Sequence, residues 1–355
     1  MSAVAVQADQ VIALYDAQEL VKSQSQAQRE AAAKHALARV IVRVSGSQQA
    51  LDAEPVKKAL ARAQDYVYEY SYANSDETLP GIDGEPVPAS LIKLKFSSAL
   101  IEQLLRDSAL TFWPANRPLV LIWVVNNDSG RVQLVSDADA WQSLRQAAEL
   151  RGLPISSPLF DLEDHLAMPA ESLWQLDEAQ IREASERYRT DAILVIRYST
   201  LSDGQLRGDW TLLHSEGDAS FDGVADKADS LLENAVNDVA DRFAGLYAIN
   251  PSESGAANIA LWVDNVDSFA AYKRVENYLT SLALVRRVQM HSVNEQGLVL
   301  KLFTEGDVIR LENTLALDDT LQPVSDSVSL SDNRYQVRGS MQRPLRYRLA
   351  GEGAR

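Results

Sequence analysis

The chain of 355 residues is 46% hydrophobic and 24% charged, and its 50 acidic against 34 basic side chains leave a net charge of -16. That surface repels nucleic-acid phosphates and anionic lipid headgroups, which argues against both as partners. The absence of cysteine excludes disulfides, thiol nucleophiles and cysteine-ligated metals, and is compatible with an oxidising compartment.

The length predicts two or three domains of roughly 100–150 residues each. The opening residues Met1 to Ala8 lack the basic segment and long apolar core of a signal peptide, although Ala3-Val4-Ala5 resembles the end of a cleaved one. A first α+β module is expected over residues 1–115. Val11–Leu14 reads as a short strand. Ser25-Gln-Ala-Gln28 is a capping-box pattern, followed by Ala33, Leu37, Val40, Ile41 and Val44 at helical spacing and by Gly46 as a helix stop. A second helix after Asp52 turns Val56, Ala59, Leu60 and Ala63 inward. The period then changes to two: Tyr66, Tyr68, Tyr70 and Tyr72 alternate along a strand and share one face. Residues 74–88, rich in Pro, Gly and acidic side chains, read as a loop. Ile92, Leu94 and Phe96 mark another strand, and Leu100, Ile101, Leu104 and Leu105 an amphipathic helix.

A central α/β module is expected over residues 116–250. Leu119–Val125 is apolar on both faces, as a strand covered on each side must be, yet is far shorter than the roughly 20 residues a bilayer requires. A helix capped by Asp137 carries Trp141 and Leu144 and ends at Gly152, and Leu153–Ile155 returns to strand, a β–α–β unit that predicts parallel pairing. A loop from Pro158 to Met168 precedes a helix with Ile181, Ala184 and Tyr188. Ala192–Ile196 is a buried strand, Asp203-Gly204 a hairpin turn into Trp210–Leu213, and a long helix bears Leu231, Leu232, Val236, Val239 and Phe243. Pro251–Gly255 reads as a linker. Residues 256–350 then follow most of a ferredoxin-like βαββαβ order, with further strands at Leu321–Val324, Tyr335–Val337 and Leu345–Leu349. The whole predicts a multi-domain chain of mixed α/β and α+β class.

Chemistry is sparse. No phosphate-cradling loop occurs, and Asn126–Gly130 after the central strand is not a dinucleotide fingerprint. His35, His165, His214 and His291 lie in separate elements, so no metal site and no cofactor are expected. Ser90-Leu-Ile-Lys93 and Ser331-Asp-Asn333 match two signatures of penicillin-recognising enzymes by chance, because Lys93 lies in a strand rather than one helical turn from Ser90. Asp161, Glu163 and Asp164 are the best acidic cluster, in a loop that follows a strand of an α/β layer. They either serve acid–base chemistry or cation binding, or anchor the loop with Asp161 capping the next turn while Glu163 and Asp164 face water. The tyrosine face either stacks on sugar rings or a partner's aromatics, or packs beneath a helix. Arg338, Arg346 and Arg348, with Arg334 and Arg343, form a basic cluster that either docks on the acidic helix around Asp229 and Glu233 or offers an edge strand to an acidic partner. No catalytic residue is assigned.

Val44-Ser45-Gly46, the Tyr66–Tyr72 strand, Arg117-Pro118 before Leu119–Val125 with Trp123, Gly152-Leu-Pro154, Pro158 with Asp161–Asp164, Tyr188 with Asp191–Leu194, and Trp210-Thr-Leu212 together resemble a gammaproteobacterial family of unknown function. The resemblance spans most of the chain and implies a periplasmic or envelope-associated protein. The central module is also similar in layout to the amino-terminal domain of TolB, to lipoproteins that activate cell-wall synthases and to the curli secretion lipoprotein. Those are non-catalytic partner-binding modules, so the likeness implies protein partners in the bacterial envelope, with peptidoglycan as a further candidate. It brings no catalytic residues.

Overall fold

The computed structural model describes residues 13–81, 85–250, 257–294, 297–324 and 337–351. The chain is a mixed α/β, multi-domain protein that divides into two compact units. One comprises Met1–Ser108 and Arg117–Gly245, the other Ala109–Asn116 and Leu246–Arg355.

In the first unit, β1 (Asp16–Val21), α1 (Gln26–Ser45), α2 (Glu54–Leu60), β2 (Val67–Pro80), β3 (Pro86–Phe96) and α3 (Ser98–Asp107) come first. The strands form an antiparallel sheet in the order β1-β3-β2. The Ser25 hydroxyl accepts from the Gln28 amide, and Gly46 ends α1 at φ 73°, a left-handed position that glycine adopts without the Cβ penalty. Gln28 does not close a reciprocal box. Its side-chain oxygen accepts from the Lys22 amide instead. The apolar stripe expected on this helix is buried.

Three expectations fail here. The first strand lies at Asp16–Val21, not at Val11–Leu14. Val11 and Ile12 fall outside the described residues and Leu14 precedes the strand. Asp16, Gln18 and Glu19 conceal its alternation, in which Ala17 and Val21 point inward. Much of the expected loop at 74–88 is hairpin: Thr78, Leu79 and Pro80 pair with Pro88, Val87 and Pro86. Proline is tolerated there because an edge or strand-end position needs no ladder N–H. Tyr66 closes a short 3-10 turn, Ala63–Tyr66, and a bulge falls between Val67 and Glu69, so the four tyrosines do not share one regular strand face.

The unit continues with β4 (Val120–Asp128), β5 (Arg131–Leu134), α4 (Ala138–Arg151), β6 (Ile155–Ser156), α5 (Leu162–Ala167), α6 (Ala170–Gln175), α7 (Glu178–Ser185), β7 (Ala192–Thr200), β8 (Leu206–His214), β9 (Ala219–Ala225) and α8 (Ala228–Tyr247). The six-stranded sheet runs β5-β4-β7-β8-β9, with β6 beside β4. β4 pairs in parallel with both β6 and β7, as its two-sided burial predicts. One face, with Leu121, Trp123, Val125 and Val195, packs on Met168, Leu173 and Ile181. Across the other face, Leu231 of α8 covers Gly208, where a Cβ would come within 2.8 Å of its methyl, and Trp210 donates to Asp238 of α8 at 3.1 Å. The segment 158–168, expected as loop, contains α5.

The second unit holds β10 (Ala257–Asp264), α9 (Phe269–Ser281), β11 (Val285–Asn294), β12 (Gly297–Thr304), α10 (Val308–Leu315), β13 (Leu321–Pro323) and β14 (Leu345–Leu349). Its sheet order is β11-β12-β10-β14-β13. The βαββ part follows the ferredoxin-like expectation, but β14 enters parallel to β10 and separates β13 from it. Of the strand expected at 335–337, Val337 is not strand and the rest lies outside the described residues, as do the expected linker at 251–255, Arg334 and Ser331–Asn333.

Candidate functional site: the acidic segment before and within α5

Helix α5 starts because Asp161 caps it, accepting from the Asp164 amide at 2.9 Å. Asp164 points inward and is 1% exposed. Its carboxylate accepts from the Tyr188 hydroxyl at 2.7 and 2.6 Å, from Arg187 Nη1 at 3.1 Å and from the Phe160 amide at 2.8 Å. Arg187 also grips Asp161 in a two-pronged pair at 3.1 and 3.0 Å and reaches Glu163 at 3.5 Å. Tyr188 in turn accepts from the Leu159 amide at 2.9 Å and stands edge-on to Trp123, whose indole donates to Ser185. A buried carboxylate costs little only when paired and hydrogen-bonded in this manner.

The electrostatics follow from the contacts. The Arg187 guanidinium and the Asp164 amide hold the Asp161 carboxyl down at about 2. Arg187 is raised, first by its bond to Asp161. Burial, then the bond to Asp164, raises the Tyr188 phenol. Of the three acidic residues singled out in the sequence, Asp161 and Asp164 are thus engaged within the fold, and Glu163 stands 71% exposed at the rim. Among the described residues no group of three or more His, Asp or Glu is arranged to hold a metal ion. Asp161 caps the turn and Glu163 faces water as the anchoring expectation has it, whereas Asp164 is buried in the network rather than turned to water.

What the network holds outward is apolar. Leu159, Leu162 and Leu166 are 56%, 74% and 73% exposed. Phe160 between them sits at φ 53°, an uncommon conformation for an aromatic residue, with its ring edge-on to Trp141. In the sequence the carboxylates of this segment are conspicuous and its leucines are not. The i, i+4 spacing of Leu162 and Leu166 was the available signal.

The remaining candidates are dispersed. Tyr70 and Tyr72 meet edge to face at 6.1 Å, Arg29 lies over Tyr70, and Tyr68 is 66% exposed. In the second unit, Arg338 pairs with Glu312 at 2.5 Å, Arg346 reaches Asp264 at 3.8 Å and lies over Trp262, and Arg348 sits opposite Gln322. Arg346 and Arg348 lie in β14, between β10 and β13, so theirs is not the edge strand that partner recognition by strand addition requires; Arg338 precedes that strand. A cavity of about 220 Å³ beside Tyr278, Leu282, Arg310 and Asp318 is smaller than the roughly 300–1,000 Å³ of ordinary ligand pockets.

The sequence also gave no warning of three buried arginines in the first unit. Arg117 donates to the carbonyls of Arg151, Gly152 and Arg43 at 3.1, 2.8 and 2.8 Å. Arg151 donates to the Gly46 carbonyl and pairs with Asp241, and Arg43 donates to the Ala13 and Asp16 carbonyls. The Arg117 and Arg151 guanidinium groups satisfy carbonyls left open at the ends of α1 and α4, where the helix dipoles favour a cation, and Arg43 satisfies carbonyls at the start of β1. Burial pushes Arg117 down to about 9.

No helix among the described residues is long and apolar enough to cross a membrane. No curated protein matches the chain. A solved structure described as that of an uncharacterised protein aligns over 37% of this chain and 91% of its own, at 12% identity and a TM-score of 0.17. Residues 8–114 match the model of a family described as a domain of unknown function, DUF8605, so the first third of the chain is similar to an uncharacterised domain family.

Proposed function

We propose that the protein is a non-enzymatic adaptor or scaffold that binds protein partners in the bacterial envelope. The observation that carries this is the acidic segment itself: its buried carboxylate is saturated by Tyr188, Arg187 and the Phe160 amide, while its outer surface is leucine. A general acid or base must reach its substrate, and a hard-cation site requires carboxylate oxygens turned to a common centre. Asp164 does neither, since its oxygens point to protein donors. The periplasmic setting rests on the resemblance to the gammaproteobacterial envelope family (DUF2066), and the lack of cysteine agrees with it. Two experiments test the reading. In-cell crosslinking with mass spectrometry is expected to return protein partners from the envelope fraction. Thermal unfolding with and without magnesium or calcium chloride is expected to show no cation-dependent stabilisation. A stabilisation or a hydrolytic turnover that disappears in Asp161→Asn plus Asp164→Asn would replace the adaptor by an enzyme or cation binder.

A second proposal, peptidoglycan binding through the tyrosines, draws support from the exposure of Tyr68 and Tyr70. The edge-to-face pairing of Tyr70 with Tyr72 leaves a smaller flat surface than the regular ladder would. Tyr68→Ala and Tyr70→Ala are expected to reduce retention on cell-wall material, without unfolding, if that contact operates.

A further inference from the structure

We infer that Leu159, Leu162 and Leu166 form an anchor that enters an apolar groove with a basic rim on a partner protein. This rests on the adaptor reading above and specifies its surface. Leu162 and Leu166 are one helical turn apart on the same face of α5, the spacing by which short helical anchors fill hydrophobic grooves, and the exposed Leu159 stands just before the helix, ahead of its Asp161 cap. An isolated six-residue helix does not persist in water, because nucleation is unfavourable and so few bonds repay it. Here the helix is fixed from beneath by Asp161, Asp164, Arg187 and Tyr188, so the leucines are presented with little ordering left to lose on binding.

The charge around the leucines selects the partner. Glu163 is 71% exposed and Asp161 42% exposed, whereas their shared cation, Arg187, is 27% exposed. The exterior beside the anchor is therefore acidic, which favours a basic rim opposite and disfavours anionic lipid. Size argues against a second copy of this chain. The exposed leucine surface is on the order of 350 Å², a patch of the size that marks interaction sites. It is less than half of the about 800 Å² per partner that a standard stable interface buries. A protruding anchor in another protein's groove fits that area; a flat self-contact does not.

The test uses the full-length chain with a photo-crosslinking benzoylphenylalanine at position 162 or 166. The same group is placed for comparison at Asp222 in β9 or Met290 in β11, both exposed. After irradiation in the native cells, adducts are sized and identified, and the partner is purified for titration. The expected result is an adduct with a different protein from positions 162 and 166 and none from 222 or 290. Leu162→Ala and Leu166→Ala should each weaken that complex about tenfold or more while the melting temperature of the free chain is unchanged. The affinity should fall with salt, and more steeply than it does for Glu163→Gln. Adducts from 222 or 290 alone overturn the anchor and leave the adaptor reading standing. Adducts from no position overturn both. A product of two copies of this chain overturns the anchor, as does an affinity indifferent to both leucine substitutions. Sedimentation with phosphatidylglycerol vesicles that is lost in Leu162→Asp plus Leu166→Asp overturns it in favour of lipid.

Discussion

Asp164→Ala removes the centre of the network beneath α5. The carboxylate accepts from Tyr188, Arg187 and the Phe160 amide. Hydrogen bonds to a charged group contribute about 1.5–3 kcal/mol each, and an abandoned buried donor costs about 1–3 kcal/mol. Arg187 keeps its two bonds to Asp161 and is 27% exposed, so its share is small. Tyr188 and Phe160 carry the loss, and about 3 kcal/mol is expected. At roughly 2–4 °C per kcal/mol for a unit of this size, the melting temperature should fall by about 6–12 °C. Urea unfolding measures the free energy, and hydrogen exchange of a peptide covering 158–168 reports the segment directly. Asp161→Ala removes an exposed cap and should cost less than Asp164→Ala. The reasoning fails if Asp164→Ala costs less than Asp161→Ala, or if protection of 158–168 is unchanged.

Three further outcomes follow from other contacts. Arg117→Ala strips donors from the Arg43, Arg151 and Gly152 carbonyls and should lower unfolding free energy by at least about 3 kcal/mol; a loss under about 1 kcal/mol in urea would show those carbonyls find other partners. Burial, with Phe243 packed at 5.2 Å, holds His214 below its ordinary value of 6.5. The unfolded chain then binds the proton more readily, so stability should fall as pH drops below 6.5 and the decline should shrink in His214→Gln, followed by thermal unfolding across that range. Asp161 is depressed from 3.8 to about 2. Its contribution is present above the unfolded value and lost as pH falls through the folded one, so protection of 158–168 should survive at a pH between 3.8 and 2. In Arg187→Gln that protection should already fail near the ordinary carboxylate value; identical acid profiles would contradict the assignment.

Much of the fold was legible because single residues set it. Ser25, Asp137, Gly46 and Gly152 mark helix ends whose caps the structure contains, and the two-sided apolarity of Leu119–Val125 demanded a covered, parallel strand. Polar composition hid other elements. The strand at Asp16–Val21 carries three polar residues among six, and the long β2–β3 hairpin contains prolines that read as loop. The hairpin from β4 into β5 turns on Ser129 and Gly130, both at positive φ, a less conspicuous signal than Asn-Gly. At the candidate site the acidic residues were visible, but their partners Arg187 and Tyr188 lie more than twenty residues away, so sequence alone could not say whether the carboxylates were free. The arginine trio was hidden for the same reason: Arg43, Arg117 and Arg151 meet only once the chain has folded back on itself.

The arrangement of β14 bears on how the second unit is made. Leu261 of β10 lies opposite Leu345, more than eighty residues later, and among the described residues β13 pairs with β14 alone. During synthesis β10 therefore waits with one flank open until the segment at 345–349 leaves the ribosome, and distant pairings of this kind are slow to form. A nascent chain halted before Leu345 would display that flank to any extended polypeptide nearby, so the last strand of the sheet to be made is also the one that shields it from mispairing.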